Sequence, residues 1–308
     1  MRNNGWEFNI NYRNHVGPDF SYRFGFNIWD YQSKITKLNF NEEKSLSYLY
    51  EGKKAGEIWG YENTGFYTVD DFSDLSTWTL KDGVVKVDGV SPRPGDYKFA
   101  NLRDGDVDAD DVNRINTGKY TANNPGDLKV IGNTTPRFQY GFNFGANYKG
   151  IDLNVMLQGV AKRDYFANGP YFYTLAAGDG IWMPVFEGTT DYWKPLSQDA
   201  SSPDYYVAAN PGAKLPRIYG NVGNGGYNRN TNTKMLQSAA YMRVKNITLS
   251  YTFPKNLLQK VFISNLRAYV SAENPFTFTS LPDGVDPETL SWSYPMYRTI
   301  SFGLNITL

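Results

Sequence analysis

The sequence predicts an all-β protein: an antiparallel transmembrane β-barrel, represented by about nine strands of a larger barrel with long extracellular loops. Three observations carry this expectation: strict apolar/polar alternation, arms longer than soluble strands usually run, and connections that alternate between short and long. The clearest stretch is Arg137 to Arg163. In its first arm Phe138, Tyr140, Phe142, Phe144, Ala146 and Tyr148 are apolar, and every odd position between Arg137 and Lys149 is polar or Gly. Unbroken period-2 alternation is incompatible with a helix face, which repeats every ~3.6 residues. After a turn at Gly150, Ile151, Leu153, Val155 and Leu157 alternate with Asp152, Asn154, Met156 and Gln158. Arms of ~12 residues exceed the about 5–6 typical of soluble strands. They suit a strand tilted through a bilayer, which needs roughly 9–11.

Composition narrows the class. The chain has 308 residues, with 31 Lys plus Arg against 31 Asp plus Glu, so it lacks the basic excess of a nucleic-acid binder. It contains no cysteine, which excludes disulfides and Cys-type metal sites. With 24 Tyr, 19 Phe, 7 Trp and 29 Gly, it has the profile of β-structure with tight turns and aromatic girdles. No apolar run approaches the ~18 residues of a transmembrane helix.

In order, the first strand is expected at about 5–13, where Trp6, Phe8, Ile10 and Tyr12 alternate with Glu7, Asn9, Asn11 and Arg13. The start Met1–Tyr12 has no apolar core of a signal peptide, and a chain opening mid-strand is expected to be a piece of something longer. The second strand, about 19–37, carries Phe20, Tyr22, Phe24, Phe26 and Ile28 on one face. A third is expected at about 57–62 and a short fourth at 66–69, before a long polar stretch from Asp70 to Pro136. The hairpin 137–163 supplies two more strands, and a second irregular stretch runs from Asp164 to Ala240. The last strands are expected at about 241–253, 265–274 and 297–308. Short and long connections alternate throughout, as periplasmic turns and extracellular loops do in outer-membrane barrels.

With these elements placed, the residues resemble the SusC/RagA family of TonB-dependent outer-membrane transporters of Bacteroidetes. The resemblance is carried by GNTTPRFQYGFNFGANYKGIDLNVMLQGVAKRD (132–164), YMRVKNITLSYTFP (241–254), AYVSAENPFTFT (268–279) and YRTISFGLNITL (297–308). PGDYKFANLRDGDVDADD (94–111), DYWKP (191–195) and AKLPRIYG (213–220) resemble its loop motifs. The final residue is Leu308, where such barrels usually end on Phe. The resemblance implies the C-terminal barrel portion, residues 1–308, without signal peptide, plug or TonB-contacting segment. It implies an outer-membrane importer of a bulky nutrient, an oligosaccharide or a peptide. A SusD-like lipoprotein would cap it, and TonB–ExbB–ExbD would drive it through the missing N-terminal parts. Transporters of this kind close about 22 strands around a plug. Nine strands alone would leave two open edges, each unpaired backbone group costing several kcal/mol in lipid, so no stable pore is expected from this chain by itself. The alternative is a soluble or surface-attached β-rich glycan-binding module, a sandwich with its apolar faces packed together.

Candidate sites are few. Asp104, Asp106, Asp108 and Asp110 stand at alternate positions and can supply oxygen ligands to Ca²⁺. Yet Ala109 stands where a calcium loop needs Gly and Ile115 where it needs Glu, so a solvated acidic loop is the plainer reading. Trp182, Tyr192 and Trp193 are candidate substrate-stacking rings, and Tyr171, Phe172 and Tyr173 share their ambiguity; packing of the loop on itself is the plainer role. Arg137, Gln139, Asn143 and Asn147 face the expected lumen. His15 is the only histidine, and no nucleophile elbow, zinc helix or phosphate loop is present, so no catalytic residue is expected.

Overall fold

The computed structural model describes residues 1–87, 89–103, 113–116, 118–166, 185, 187–219, 225–258, 262–290 and 296–308. These form two compact units, a sheet unit (2–33, 135–164 and 238–308) and a loop unit (1, 34–134 and 165–237).

The sheet unit holds β1 (Arg2–Val16), β2 (Phe20–Lys34), β3 (Arg137–Tyr148), β4 (Ile151–Lys162), β5 (Tyr241–Thr252), β6 (Asn265–Thr279) and β7 (Thr299–Thr307). They form one seven-stranded sheet in which each strand lies beside its neighbour in the chain. Register explains why the alternation matters. Phe24, Phe144, Val155, Ile247, Ala272 and Ile300 stand opposite one another across β2 to β7, one continuous apolar row. One position along, Arg23, Gly145, Asn154, Thr248, Ser271 and Ser301 form the matching polar row. A slip of one residue in any strand would put its polar side chains into the apolar row.

The apolar side of the sheet is not covered. In this row Ile300 is 62% exposed and the other five are half-exposed, and elsewhere on the sheet Phe302 is 81% exposed and Trp6, Phe8, Leu249 and Phe276 are exposed as well. This corrects the sandwich alternative, in which those side chains would form an internal core. At the short-turn end the rings cluster: Tyr12 lies 6.0 Å from Tyr22, Phe20 5.8 Å from Tyr22 and 6.4 Å from Tyr148. This is the position of an interfacial aromatic girdle.

The wall has seven strands where the sequence suggests nine. The expected third strand shortens to Glu57–Gly60, and the expected fourth at 66–69 is replaced by a four-residue strand across the expected turn, Asn63–Phe66. They pair instead with Lys129–Asn133 and Tyr97–Phe99 inside the loop unit. Four residues cannot span a bilayer, and their backbone groups bond loop segments far along the chain instead. Removing two strands together preserves the parity of the connections. β1–β2, β3–β4 and β5–β6 are joined at one end, and the long connections 35–136, 163–240 and 280–298 all leave from the other.

β6 runs on to Thr279, past Pro275, where the sequence suggests a stop at 274. Asn274 adopts a left-handed φ of 49°, and the register against β5 slips between Val244 and Asn246. That bulge spares Pro275 the ladder hydrogen bond it cannot donate.

The loop unit has its own core. Tyr67, Tyr97, Phe99, Leu215 and Met235 are fully buried. Tyr61 stacks on Phe99 at 4.9 Å and Phe66 on Tyr97 at 5.6 Å.

Candidate functional site

The loop unit is built around a buried carboxylate. Asp96, fully buried, accepts hydrogen bonds from the Arg93 amide at 2.9 Å, Asn228 Nδ2 at 2.8 Å and the Tyr219 hydroxyl at 3.0 Å. Such donors offset the desolvation that would otherwise make a buried carboxylate costly. Asn228 turns its Oδ1 to the Tyr97 amide at 3.0 Å, and the Tyr97 hydroxyl donates to the Lys214 carbonyl at 2.9 Å. Thus PGDY (94–97), AKLPRIY (213–219) and the segment around Asn228, remote in sequence, meet at one point. Burial, and then the Asp96 charge, push the Tyr219 hydroxyl well above its ordinary pKa. Burial likewise raises Tyr227, and it raises Tyr61 to about 12 with the Asp127 charge adding to it.

Asp127 is a second such centre. It is fully buried and accepts from the Leu102 amide at 2.6 Å, the Arg103 amide at 2.9 Å and the Asn116 amide at 2.8 Å. Arg103 also donates to the carbonyls of Gly126 and Leu128. Residues on both sides of the acidic run are therefore pinned to one carboxylate. Asp104, Asp106, Asp108 and Asp110 themselves lie outside the described residues, as do Trp182 and Tyr171–Tyr173. Among the described residues no group of three His, Asp or Glu side chains is spaced to hold a metal ion.

Of the candidate stacking rings, Tyr192 is half-buried with Lys194 over it at 5.1 Å. Trp193 is only 3% exposed. Its ring fills the space above Gly95, where an added Cβ would stand 2.6 Å from Trp193 Cδ2, and Arg217 covers it at 5.2 Å. Its position is that of a ring packing the loop rather than one open to a ligand.

On the polar side of the sheet, Asn11, Arg13, Arg23, Asn143, Asn154 and Asn246 line a recess of about 580 Å³. Arg23 donates to Asn154 Oδ1 at 2.6 Å, and Asn246 Nδ2 to Ser271 Oγ at 2.9 Å. The expected lumen residue Asn143 belongs to this recess, whereas Arg137 is held in an ion pair with Asp30. The recess offers amide donors and acceptors but no nucleophile beside a base; His15 stands exposed at the end of β1. Farther along, Arg243 sits between Asp286 at 2.7 Å and Glu288 at 3.0 Å, and Lys245 reaches Glu288 at 2.9 Å. The Arg243 Nη1–Glu288 contact is a charge contact without hydrogen-bond alignment.

Sequence reading alone does not single out Asp96, Asp127 or the Arg243 cluster as sites. For Asp96 a signal existed, the Pro-Gly-Asp-Tyr run at 94–97. For the other two, nothing local distinguishes these charges from surface ones.

An antiparallel wall with one apolar and one polar face, and with its long connections at one end, defines the class: a segment of an outer-membrane-type β-barrel. Known proteins narrow it. No protein-family model matches the sequence. The chain is 27% identical over 334 residues to TonB-dependent receptor P3 of Formosa agariphila, covering 99% of this chain and 28% of that protein. It is 23% identical over 329 residues to TonB-dependent receptor SusC of Bacteroides thetaiotaomicron, covering 99% of this chain and 26% of that protein. Among solved structures, the RagAB peptide transporter aligns with a TM-score of 0.67 at 20% identity, over 99% of this chain and 29% of that one. The RagAB peptide importer in its open-open state aligns at 0.65 and 18% identity, over 99% of this chain and 28% of that one. From end to end the chain is similar to TonB-dependent receptors of the SusC/RagA type, and its fold is that of their barrels. It spans under a third of the length of the curated relatives it matches.

Proposed function

We propose that this chain is the C-terminal barrel wall and loop portion of a TonB-dependent outer-membrane importer of a bulky nutrient, an oligosaccharide or a peptide. The observation that carries the reading is the exposed apolar row running from β2 to β7 opposite a polar row, with the long connections gathered at one end. In that reading the apolar row faces lipid, the polar recess faces the lumen, and the connections 35–136, 163–240 and 280–298 face outward. A SusD-like lipoprotein engages those loops from outside. TonB–ExbB–ExbD supplies energy through other parts of the protein. The chain itself performs no catalysis.

The reading is tested with the full-length protein, tagged and expressed in its own host. It should fractionate with the outer membrane and bring a surface lipoprotein with it when purified. Uptake of labelled oligosaccharide or peptide mixtures should stop when TonB is deleted. Recovery in the soluble fraction, or uptake indifferent to TonB, would overturn it.

A further inference from the structure

Within the loop unit, Arg93 and Arg217 form a cationic platform with half-buried aromatic rings. Arg93 lies over the Trp78 ring at 5.0 Å. Trp78 meets Tyr206 edge-on at 5.2 Å, and Arg217 lies over Tyr206 at 5.8 Å and Tyr205 at 5.6 Å. The two arginines are joined through the backbone: Arg217 donates its amide to the Gly95 carbonyl at 2.9 Å and its Nη1 to the Pro94 carbonyl at 3.2 Å. Pro94 is the residue after Arg93, so both cations rise from one rigid corner beside the Asp96 hub.

Three features point to a ligand. First, Trp78 has a left-handed φ of 59°. That backbone is strained for a bulky residue, and such strain gathers where a side chain must be presented. It is imposed by a turn around Asp74, which accepts from the Ser76 amide at 2.8 Å and the Thr77 hydroxyl at 2.8 Å. Second, among the described residues neither the Arg93 guanidinium nor the Trp78 indole N–H has a hydrogen-bond partner, and neither arginine is in an ion pair. Arg93 is exposed, so its donors face water. Third, the Asp96 carboxylate beside this corner is already engaged by the Arg93 amide, the Tyr219 hydroxyl and Asn228, and pairs with neither guanidinium. A guanidinium lying on a ring keeps its in-plane N–H groups free, the arrangement suited to bidentate contact with a carboxylate or sulfate.

We infer that Trp78, Arg93, Tyr206 and Arg217 form a recognition site for an acidic oligosaccharide, with a sugar ring against the aromatic edge and its carboxylate or sulfate ester on the guanidiniums. The inference rests on the import reading for its biological sense, but the site is tested by binding alone. Purified full-length protein is titrated calorimetrically with trigalacturonate, with maltotriose as the neutral ring control and triglutamate as the acidic control without sugar rings.

Trigalacturonate should bind saturably and more weakly as salt rises, while maltotriose and triglutamate bind at least about tenfold more weakly. Arg93→Gln should weaken trigalacturonate about tenfold or more, as expected for loss of a charge-assisted contact. Arg93 is exposed, so this variant should keep the thermal unfolding of the parent. Trp78→Ala should weaken trigalacturonate as well. Equal binding of maltotriose, tighter binding of triglutamate, or an Arg93→Gln variant binding like the parent would overturn the inference. The import reading fails on fractionation and TonB dependence, which involve none of these ligands, so the two failures are distinguishable.

Discussion

Arg243 and Asp286 stand 2.7 Å apart, 43 residues from each other in sequence, with side chains only 3% and 8% exposed. Arg243 belongs to β5, whereas Asp286 belongs to the connection 280–298. The pair therefore fastens a long loop to the wall, and Glu288 and Lys245 extend the clamp. Arg163, at the end of β4, adds a hydrogen bond to the Pro287 carbonyl at 3.3 Å.

Removing one partner of a buried pair leaves the other charge uncompensated, at about 3–5 kcal/mol. Arg243→Met should therefore open the 280–298 loop to protease in the full-length protein. Replacing both partners, Arg243→Met with Asp286→Leu, should recover much of the protection. Unchanged cleavage in the single variant would show that the clamp does not hold the loop.

The same clamp makes the loop acid-sensitive. Burial pushes the Asp286 carboxyl upward, but hydrogen bonds from the Glu288 amide and Arg243 outweigh it, so the group titrates below its usual 3.8. A depressed carboxyl contributes stability above its unfolded pKa and loses it as pH falls through the folded one. The charges facing it are Arg243, Lys245, Glu288 and Arg163, together with the Tyr241 hydroxyl. Amide protection in 280–298, corrected for the intrinsic pH dependence of exchange, should be constant from neutral pH down to about the usual carboxylate range and fall below it. In Asp286→Asn that acid step should disappear.

Charge on the apolar row should block assembly. Phe142→Arg or Leu304→Arg places an arginine toward lipid, at a cost of ~2–4 kcal/mol near the midplane. Surface levels of the full-length variants should collapse. Asn143→Arg, one residue along on the polar face, should be tolerated. Normal levels of Phe142→Arg would refute the assignment of faces.

Gly95→Ala tests the loop-unit core. Its φ of 94° suits glycine, and an added Cβ would stand 2.6 Å from Trp193 and 2.9 Å from Arg217 Cβ. Overpacking of this kind costs about 1–3 kcal/mol. Indole fluorescence should report loosening at a lower temperature than in the parent, and Gly212→Ala, which meets nothing within 4 Å, should leave it unchanged.

Buried tyrosines should make the loop unit fail in alkali. Tyr61 is raised to about 12, and Tyr67, Tyr219 and Tyr227 are raised too, in each case mainly by burial. A raised pKa means the neutral form is favoured in the fold, so stability is intact below the unfolded value of 10.0 and declines as pH climbs through the folded one. Tyrosinate absorbance in Tyr61→Phe, subtracted from the parent, should show one late-titrating group near pH 12. A difference titrating near 10.0 would mean that Tyr61 is solvated.

Much of the wall was written locally. Alternation at period 2 is a property of consecutive residues, so Arg137–Lys149 declares a two-faced strand without knowledge of its neighbours. The parity of the connections needs only strand positions, and it survived the loss of two expected strands because both came out together. What tertiary structure alone decided was partnership. Glu57–Gly60 has the composition of a strand, but its pairing with Lys129–Asn133 is a choice made across some seventy residues of chain. For Trp193 the sequence leaves stacking on a ligand and packing of the loop both open, and the enclosure by Gly95 and Arg217 is decided only in the fold. The burial of Asp96 and the pairing of Asp286 come only from Asn228, Tyr219 and Arg243, which arrive from far along the chain. Faces follow from local steric geometry, whereas burial and charge pairing depend on which distant segments meet, and one chain read in order carries the first and not the second.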